Sequence, residues 1–201
     1  MKRSFLSPFL YTSAKFLCYW FFRLVWRLRV IGTENIPKAR AVIFAANHRS
    51  FADPPLLGSA TKHYVNFLAK EELFRFRPFG WLIFELHAHP LNRRGGDVAA
   101  FKMARRVLAD GQALIVFPEG RRSKTDELGP ARAGVGLLAQ ITKSPVVPTY
   151  LHNSAHLKRF KPLIVAFGAP ILAQEGESAQ AVADRVMTSI AELKGKITSE
   201  I

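Results

Sequence analysis

The chain has 201 residues, with 29 lysines and arginines against 15 aspartates and glutamates, which gives a formal net charge of +14. A hydrophobic content of 49% excludes a disordered chain, and the single cysteine, Cys18, excludes an internal disulfide and a cysteine-rich zinc site. The cationic surplus predicts an anionic partner: nucleic acid, anionic lipid or a phosphorylated substrate. Sixteen phenylalanines favour lipid, although RNA-binding proteins also use aromatic side chains.

Residues 1–30 predict a helical segment that docks on a membrane surface. The longest uncharged run, 4–14, is far shorter than the roughly 18 residues needed to cross a bilayer, so no membrane-spanning helix is expected. On a helical wheel the lysine and arginines share one half, and the opposite side is free of charge. That charge-free side consists of Leu6, Leu10, Leu17, Phe21, Leu24 and Val25. An ordinary core helix and a cleaved signal peptide are the alternative interpretations.

From residue 31 onwards, strand-like and helix-like patterns alternate, which is typical of an α/β domain. Five apolar runs are expected as strands: AVIFAA (41–46), YVNFLA (64–69), QALIVF (112–117), SPVVPTYL (144–151) and PLIVAF (162–167). Helices are expected over 54–61, within 74–88, over 97–110 and 135–142, and from residue 178 onwards. Because the strand runs are apolar throughout, both faces of the sheet should be covered. We predict a single domain over 31–201 with a largely buried mixed sheet flanked by helices.

The stretch ANHRSFADPP (46–55) is the first candidate site. Histidine accepts a proton readily near neutral pH, so His48 is a candidate general base. Asp53, five residues later, is a candidate partner that would fix the tautomer of the imidazole. Ligands of α/β sheets bind at the carboxyl ends of the strands, where this turn would lie. Asp53 before Pro54 is also typical of a helix N-cap, and the spacing alone leaves both roles open.

Two further stretches combine arginine with glycine. In VFPEGRRS (116–123), Gly120 would let the backbone approach a ligand, and Arg121 or Arg122 would hold a phosphate. In HPLNRRGG (89–96), Arg93 or Arg94 precedes a predicted helix and is a second candidate phosphate ligand. Solvated basic loops are the alternative interpretation of both stretches.

Taken in order and at their spacing, NHRSFAD, PLNRR, FPEGRRS and VVPTYL resemble the four motifs of the glycerolipid acyltransferases. Within that family the chain is similar to the 1-acylglycerol-3-phosphate (lysophosphatidate) acyltransferases over roughly residues 40–170. The sequence departs from the family pattern within the third motif, where Arg121 replaces a small polar residue, and after it, where Ala131 replaces an aromatic one.

The resemblance implies that His48 is the general base and Asp53 its orienting partner. It implies that Arg93, Glu119 and Gly120 bind the glycerol phosphate, to which the residue pattern adds Arg122. Pro148 would line the acyl-donor side.

The implied reaction moves an acyl group from acyl-CoA or acyl carrier protein to lysophosphatidate, with no metal or other cofactor. The expected partners are an anionic membrane surface on the cytoplasmic side, the lysolipid and the donor, and no nucleic acid. A different lysolipid or aminolipid acceptor is the alternative. A non-catalytic basic protein that binds membranes or nucleic acid is a further alternative.

Other reactive side chains are interpreted as structural. Ser50 lacks the G-x-S-x-G context of a serine nucleophile, and Cys18 lies among aromatic residues where packing is expected. Two pairs of histidines lack the acidic neighbours of a metal site. These are the pairs His87 with His89 and His152 with His156.

Overall fold

The computed structural model describes residues 5, 7–38, 41–91 and 96–199. Within these ranges the strands are β1 (Arg29–Ile31), β2 (Ile43–Ala46), β3 (Val65–Lys70), β4 (Ala88–Leu91), β5 (Ala113–Val116), β6 (Val146–His152) and β7 (Ile164–Phe167). The α-helices are α1 (Ser7–Trp26), α2 (Asp53–Ala60), α3 (Arg77–Glu85), α4 (Gly96–Ala109), α5 (Gly134–Thr142) and α6 (Ala179–Ser199).

The strands form one seven-stranded sheet in the order β1-β7-β6-β2-β5-β3-β4. Every neighbouring pair is parallel except β6 and β7, which run antiparallel. This confirms the predicted mixed sheet flanked by helices. The helix predicted within 74–88 is α3, and the tail helix is α6.

The sequence patterns do not predict β1 and β4, which form the two edges of the sheet. β1 is three residues long, and β4 contains Pro90, which has no N–H to donate to a ladder. An edge strand pairs on one side only, so it needs neither a long apolar run nor a donor at every residue. β1 crosses the predicted boundary at residue 30 and is part of the sheet.

Two hydrophobic layers cover the two faces of the sheet. Along β2, Ile43 and Ala45 pack on one side with α4, α5 and α6, while Phe44 and Ala46 pack on the other side with α1 and α2. All four side chains are fully buried. The uninterrupted apolar run in the sequence therefore follows from burial on both faces.

Helix α1 lies on the second face and turns a narrow stripe inward. Ser7, Tyr11 and Phe22 are buried, and the Tyr11 hydroxyl accepts a hydrogen bond of 2.9 Å from the backbone N–H of Val65. Phe22 joins the same core as Leu56 of α2. The helix is therefore part of the packed domain as well as a surface element.

Most of the charge-free side predicted for this segment is exposed. The exposed fractions are 66% for Leu17, 56% for Phe21 and 75% for Leu24. Leu10 is half-buried, and Leu6 lies outside the described residues. None of the helices in the described ranges combines the length and the hydropathy that a membrane crossing requires.

The contact between α5 and α6 leaves no room for a side chain at Gly136. A Cβ there would lie 1.9 Å from the carbonyl oxygen of Ala179. We expect Gly136→Ala to lower the free energy of unfolding by about 1–3 kcal/mol, measured by urea denaturation, because the two helices must move apart. Gly195→Ala is the matched control, since open space surrounds Gly195 in α6 and alanine favours helix by roughly 0.5–1 kcal/mol. Equal stability of the Gly136 variant and the wild type would contradict this packing.

Candidate functional site

The first and third motifs follow neighbouring parallel strands. Residue Ala45 of β2 pairs with Val116 of β5, and His48 and Glu119 each lie three residues beyond that pair. Parallel strands end at the same edge of a sheet, so both motifs meet there. β6, on the other side of β2, ends at the same edge.

At this edge the His48 ring is hydrogen-bonded to the Asp53 carboxylate. His48 Nδ1 lies 2.8 Å from Asp53 Oδ2, and the same oxygen accepts the backbone N–H groups of Arg49 at 2.7 Å and Ser50 at 2.8 Å. An oxygen that already accepts two N–H groups acts as a carboxylate acceptor, so Nδ1 carries the proton. Nε2 then holds the lone pair, and among the described residues no hydrogen-bond partner is found for it.

The predicted N-cap role of Asp53 is wrong, although the helix does begin at this residue. As an N-cap, Asp53 would accept the N–H of Pro55 or Leu56, the second and third helical residues, but proline has no N–H. The first available one, that of Leu56, donates to the carbonyl of Ala52 at 2.9 Å. The Asp53 carboxylate therefore points back to the loop, where it binds His48. It is fully buried.

Phe117 packs flat against the His48 ring. The ring centroids are 3.8 Å apart and the planes differ by 15°. With one face against Phe117 and the Nδ1 edge bound to Asp53, the imidazole has little rotational freedom, and its side chain is 19% exposed. Phe117 is a positioning residue that the sequence reasoning missed. Its place directly after β5, at the start of FPEGRRS, was a usable signal.

Glu119 joins the loop after β5 to the loop after β2. One carboxylate oxygen accepts the backbone N–H of His48 at 3.3 Å and the other accepts that of Gly129 at 3.1 Å. The Ser123 N–H donates to the His48 carbonyl at 2.8 Å, which adds a second link between the loops. Glu119 was predicted to bind substrate, and that role stays a prediction.

Two features require glycine at position 120: the backbone conformation there and the close approach of Arg132. The φ of Gly120 is +70°, a left-handed conformation that favours glycine. A Cβ there would also lie 2.7 Å from Nε of Arg132. The glycine therefore lets a guanidinium approach the turn that follows β5.

Arg122, a predicted phosphate ligand, lies over the ring of Phe51. Its guanidinium carbon is 3.7 Å from the ring centroid, a cation–π contact. Phe51 belongs to the loop between His48 and Asp53, so this contact keeps Arg122 beside the histidine loop. Arg121 is exposed on the same turn.

The second motif is only partly described. Arg93 and Arg94, the predicted phosphate ligands, lie outside the described residues. β4 is parallel to β3 and ends at Leu91, one residue before the undescribed part of that motif. β4 therefore ends at the edge of the sheet that carries His48.

Two polar contacts of the loop after β2 were also missed from the sequence. The Asn47 amide bonds both ways to the backbone of Leu151, accepting its N–H at 2.7 Å and donating to its carbonyl at 3.1 Å. Arg49 forms an ion pair with Asp126 of the facing loop. A buried asparagine at the end of an apolar strand was a signal for the first contact, whereas Asp126 carried none.

The other singled-out side chains take structural roles. The Ser50 hydroxyl accepts the Ala52 N–H at 3.2 Å, and burial raises the pKa of the Cys18 thiol. Burial lowers the pKa of His152, with Lys161 acting in the same direction. In the described part of the chain, no three histidine, cysteine or acidic side chains are grouped closely enough to hold a metal ion.

Comparison with known proteins gives consistent matches. The model of the family described as Acyltransferase matches residues 27–152. The 1-acyl-sn-glycerol-3-phosphate acyltransferase of Bacillus subtilis (strain 168) is 29% identical over 136 residues, which are 67% of this chain and 67% of that protein. The protein with the same name from Streptococcus pneumoniae is 32% identical over 173 residues, 81% of this chain and 64% of that protein.

The fold is also similar to a solved structure. The crystal structure of the 1-acyl-sn-glycerophosphate (LPA) acyltransferase PlsC from Thermotoga maritima has a TM-score of 0.76 and 29% sequence identity. The match covers 94% of this chain and 81% of that one. The chain spans 39 to 67% of the length of the first relatives that it matches.

We expect Glu119→Gln to lower the free energy of unfolding by about 1–3 kcal/mol, because an amide has one acceptor oxygen for two N–H groups. Urea denaturation measures the difference. Glu127→Gln, on an exposed carboxylate of the same loop, is the control and should change stability by less than about 0.5 kcal/mol. If the two variants were equally stable, Glu119 would not hold the loops together.

Proposed function

The chain belongs to the acyltransferase family, and we propose that it transfers a fatty acyl group from a thioester donor to the free hydroxyl of lysophosphatidate. The product is phosphatidate, and the donor is acyl-CoA or acyl carrier protein. The names of the relatives support the acceptor. The observation that carries the proposal is the 2.8 Å hydrogen bond between His48 Nδ1 and Asp53 Oδ2 at the sheet edge.

His48 acts as the general base through Nε2. It takes the proton of the lysolipid hydroxyl as that oxygen attacks the thioester carbonyl, so a C–O bond forms. The C–S bond then breaks, and the imidazolium returns the proton to the leaving sulfur. Asp53 stabilises the imidazolium and keeps the proton on Nδ1 in the resting state. Such base catalysis contributes about 10²–10⁴ in rate, and orientation of the two substrates supplies much of the rest.

The phosphate of the acceptor binds to arginines at the same edge. Arg122 is already beside the histidine loop through its contact with Phe51, and β4, which precedes Arg93 in the sequence, ends at this edge. Guanidinium groups bind phosphate through paired, charge-assisted hydrogen bonds. Glu119 contributes to this binding by holding the loops of His48 and Gly129 in position, because its two oxygens accept their backbone N–H groups.

Helix α1 docks on the membrane that holds the lysolipid. Its outer side exposes Leu17, Phe21 and Leu24, and the exposed residues Arg23 and Arg27 flank this side. Apolar side chains beside arginines fit the boundary between acyl chains and anionic headgroups. We propose that this surface lies on the cytoplasmic side of the membrane.

The catalytic pair is tested by following thiol release from acyl-CoA or acyl carrier protein with lysophosphatidate as acceptor. We expect His48→Ala and Asp53→Asn each to lower kcat by about 10²–10⁴, because the base or its tautomer is lost. Asp110→Asn, on an exposed carboxylate at the end of α4, is the matched control and should keep full activity. Wild-type protein that released no thiol above background with either donor would overturn the proposal.

The acceptor is tested with the same assay on a panel of lysolipids. Lysophosphatidate should give the highest kcat/KM, because its phosphate monoester carries the charge that the arginines bind. If lysophosphatidylcholine or an ornithine lipid were an equal or better acceptor, the enzyme would be an acyltransferase with another substrate.

Membrane docking is tested by point substitution, since removing the whole helix would also remove Phe22 from the core. The double variant Leu17→Gln, Leu24→Gln should lower partitioning onto phosphatidylglycerol vesicles by about tenfold or more, because two apolar side chains no longer enter the acyl layer. The control is Leu172→Gln, a leucine 60% exposed on another surface. Equal sedimentation of all three proteins would exclude α1 from the docking surface.

A further inference from the structure

A cleft of about 300 Å³ lies between α1 and the end of α2, and the proposed reaction does not use it. Its lining residues are Thr12, Lys15, Phe16, Tyr19, Ser59 and Tyr64. α2 begins at Asp53 and reaches Ser59 after roughly 9 Å of helix, so the cleft lies at the far end of α2 from the catalytic pair.

The amine in this cleft is unusual in its place on α1. Lys15 lies four residues after Tyr11 and seven before Phe22, so it belongs to the stripe that faces the protein. An ordinary lysine of an interfacial helix extends outward into water. Lys15 instead donates to the backbone carbonyl of His63 at 3.2 Å, on the loop before β3.

Within the part of the chain that the structure describes, no counter-charge is found for Lys15. In the described ranges, no carboxylate lies within salt-bridge distance of its ammonium, and burial lowers its pKa to about 8. Burial raises the pKa of Tyr11 to about 12 and also raises that of Cys18, so neither supplies an anion at neutral pH. An ammonium has three N–H donors, and one hydrogen bond to a carbonyl leaves two for a ligand.

Hydroxyl groups and aromatic rings complete the cleft. The Thr12 hydroxyl donates to the Pro8 carbonyl at 2.8 Å and lies 2.8 Å from the Tyr64 hydroxyl. Phe16, at the rim, is 61% exposed and makes an edge contact with Trp20 on the outer side of α1. The cleft therefore combines a half-buried cation with exposed hydroxyls and an apolar rim.

We propose that this cleft binds the phosphate of an anionic phospholipid headgroup. The Lys15 ammonium pairs with the phosphate oxygens, the hydroxyls of Thr12 and Tyr64 lie beside them, and the acyl chains leave along Phe16 and Trp20. The apolar rim favours a lipid over free phosphate, because it continues into the exposed side of α1. The inference rests on the membrane docking proposed above and does not involve the acyl-transfer step.

The test is a lysine NMR titration of the full chain in nonionic detergent. The side-chain signal of Lys15 is assigned by its absence in Lys15→Met, and its pKa is followed with and without short-chain lipid. Saturating dihexanoyl-phosphatidylglycerol should raise the pKa of Lys15 from about 8 by about one unit or more, because an anion favours the ammonium. Lys62→Met, which removes an exposed charge next to the cleft, is the matched control and should keep the shift.

Three ligands separate the possible outcomes. The proposal expects the shift with dihexanoyl-phosphatidylglycerol and little shift with equal concentrations of dihexanoyl-phosphatidylcholine or inorganic phosphate. An equal shift with inorganic phosphate would assign the cleft to free phosphate and overturn the lipid assignment. No shift with any of the three would overturn the site altogether.

Sedimentation of wild-type protein with phosphatidylglycerol vesicles separates this inference from the docking of α1. Vesicle binding without a change in the pKa of Lys15 would leave docking intact and exclude the cleft. A shift of the Lys15 pKa without vesicle binding would exclude docking and leave the cleft as a lipid site.

Discussion

The Asp53 carboxylate fixes the geometry on which the rest of the site depends. Its Oδ2 atom accepts the backbone N–H groups of Arg49 and Ser50 as well as the Nδ1–H of His48. Because Pro55 offers no N–H and that of Leu56 donates to the Ala52 carbonyl, the carboxylate does not cap the helix and instead holds the loop behind it. The same contact that shapes the loop therefore also sets the tautomer of the imidazole.

Glu119 plays a parallel part on the neighbouring strand. Asp53 and Glu119 are largely buried carboxylates, and each bonds to the backbone of the loops at the sheet edge. The chain as a whole has a formal charge of +14. Most of the lysines and arginines that the structure describes are exposed. This division is consistent with a site in which carboxylates hold the loops and arginines remain for an anionic substrate. Phe117, directly after β5, completes the arrangement by packing on the His48 ring.

Local patterns predicted the parts of the fold that depend on burial or on strong sequence signals. The run 41–46 is apolar because β2 is covered on both faces, so it was recognisable as a strand. β1 and β4 were missed because edge pairing imposes few sequence requirements. The partnership of His48 and Asp53 followed from spacing and family resemblance. The ring contact of Phe117 and the ion pair of Arg49 with Asp126 depend on how loops from different strands meet, and no local pattern encodes that.

The central claim is that Asp53 keeps the proton of neutral His48 on Nδ1 and leaves Nε2 as the base. Two-bond proton–nitrogen NMR correlations of histidine-labelled protein measure this tautomer directly, with the His48 signals assigned by their loss in His48→Gln. We expect the neutral imidazole to carry its proton on Nδ1, with Nε2 showing the nitrogen chemical shift of an unprotonated ring nitrogen. A neutral His48 protonated on Nε2 would contradict the assignment of Nε2 as the base, because the nitrogen away from Asp53 would have no lone pair for the substrate hydroxyl.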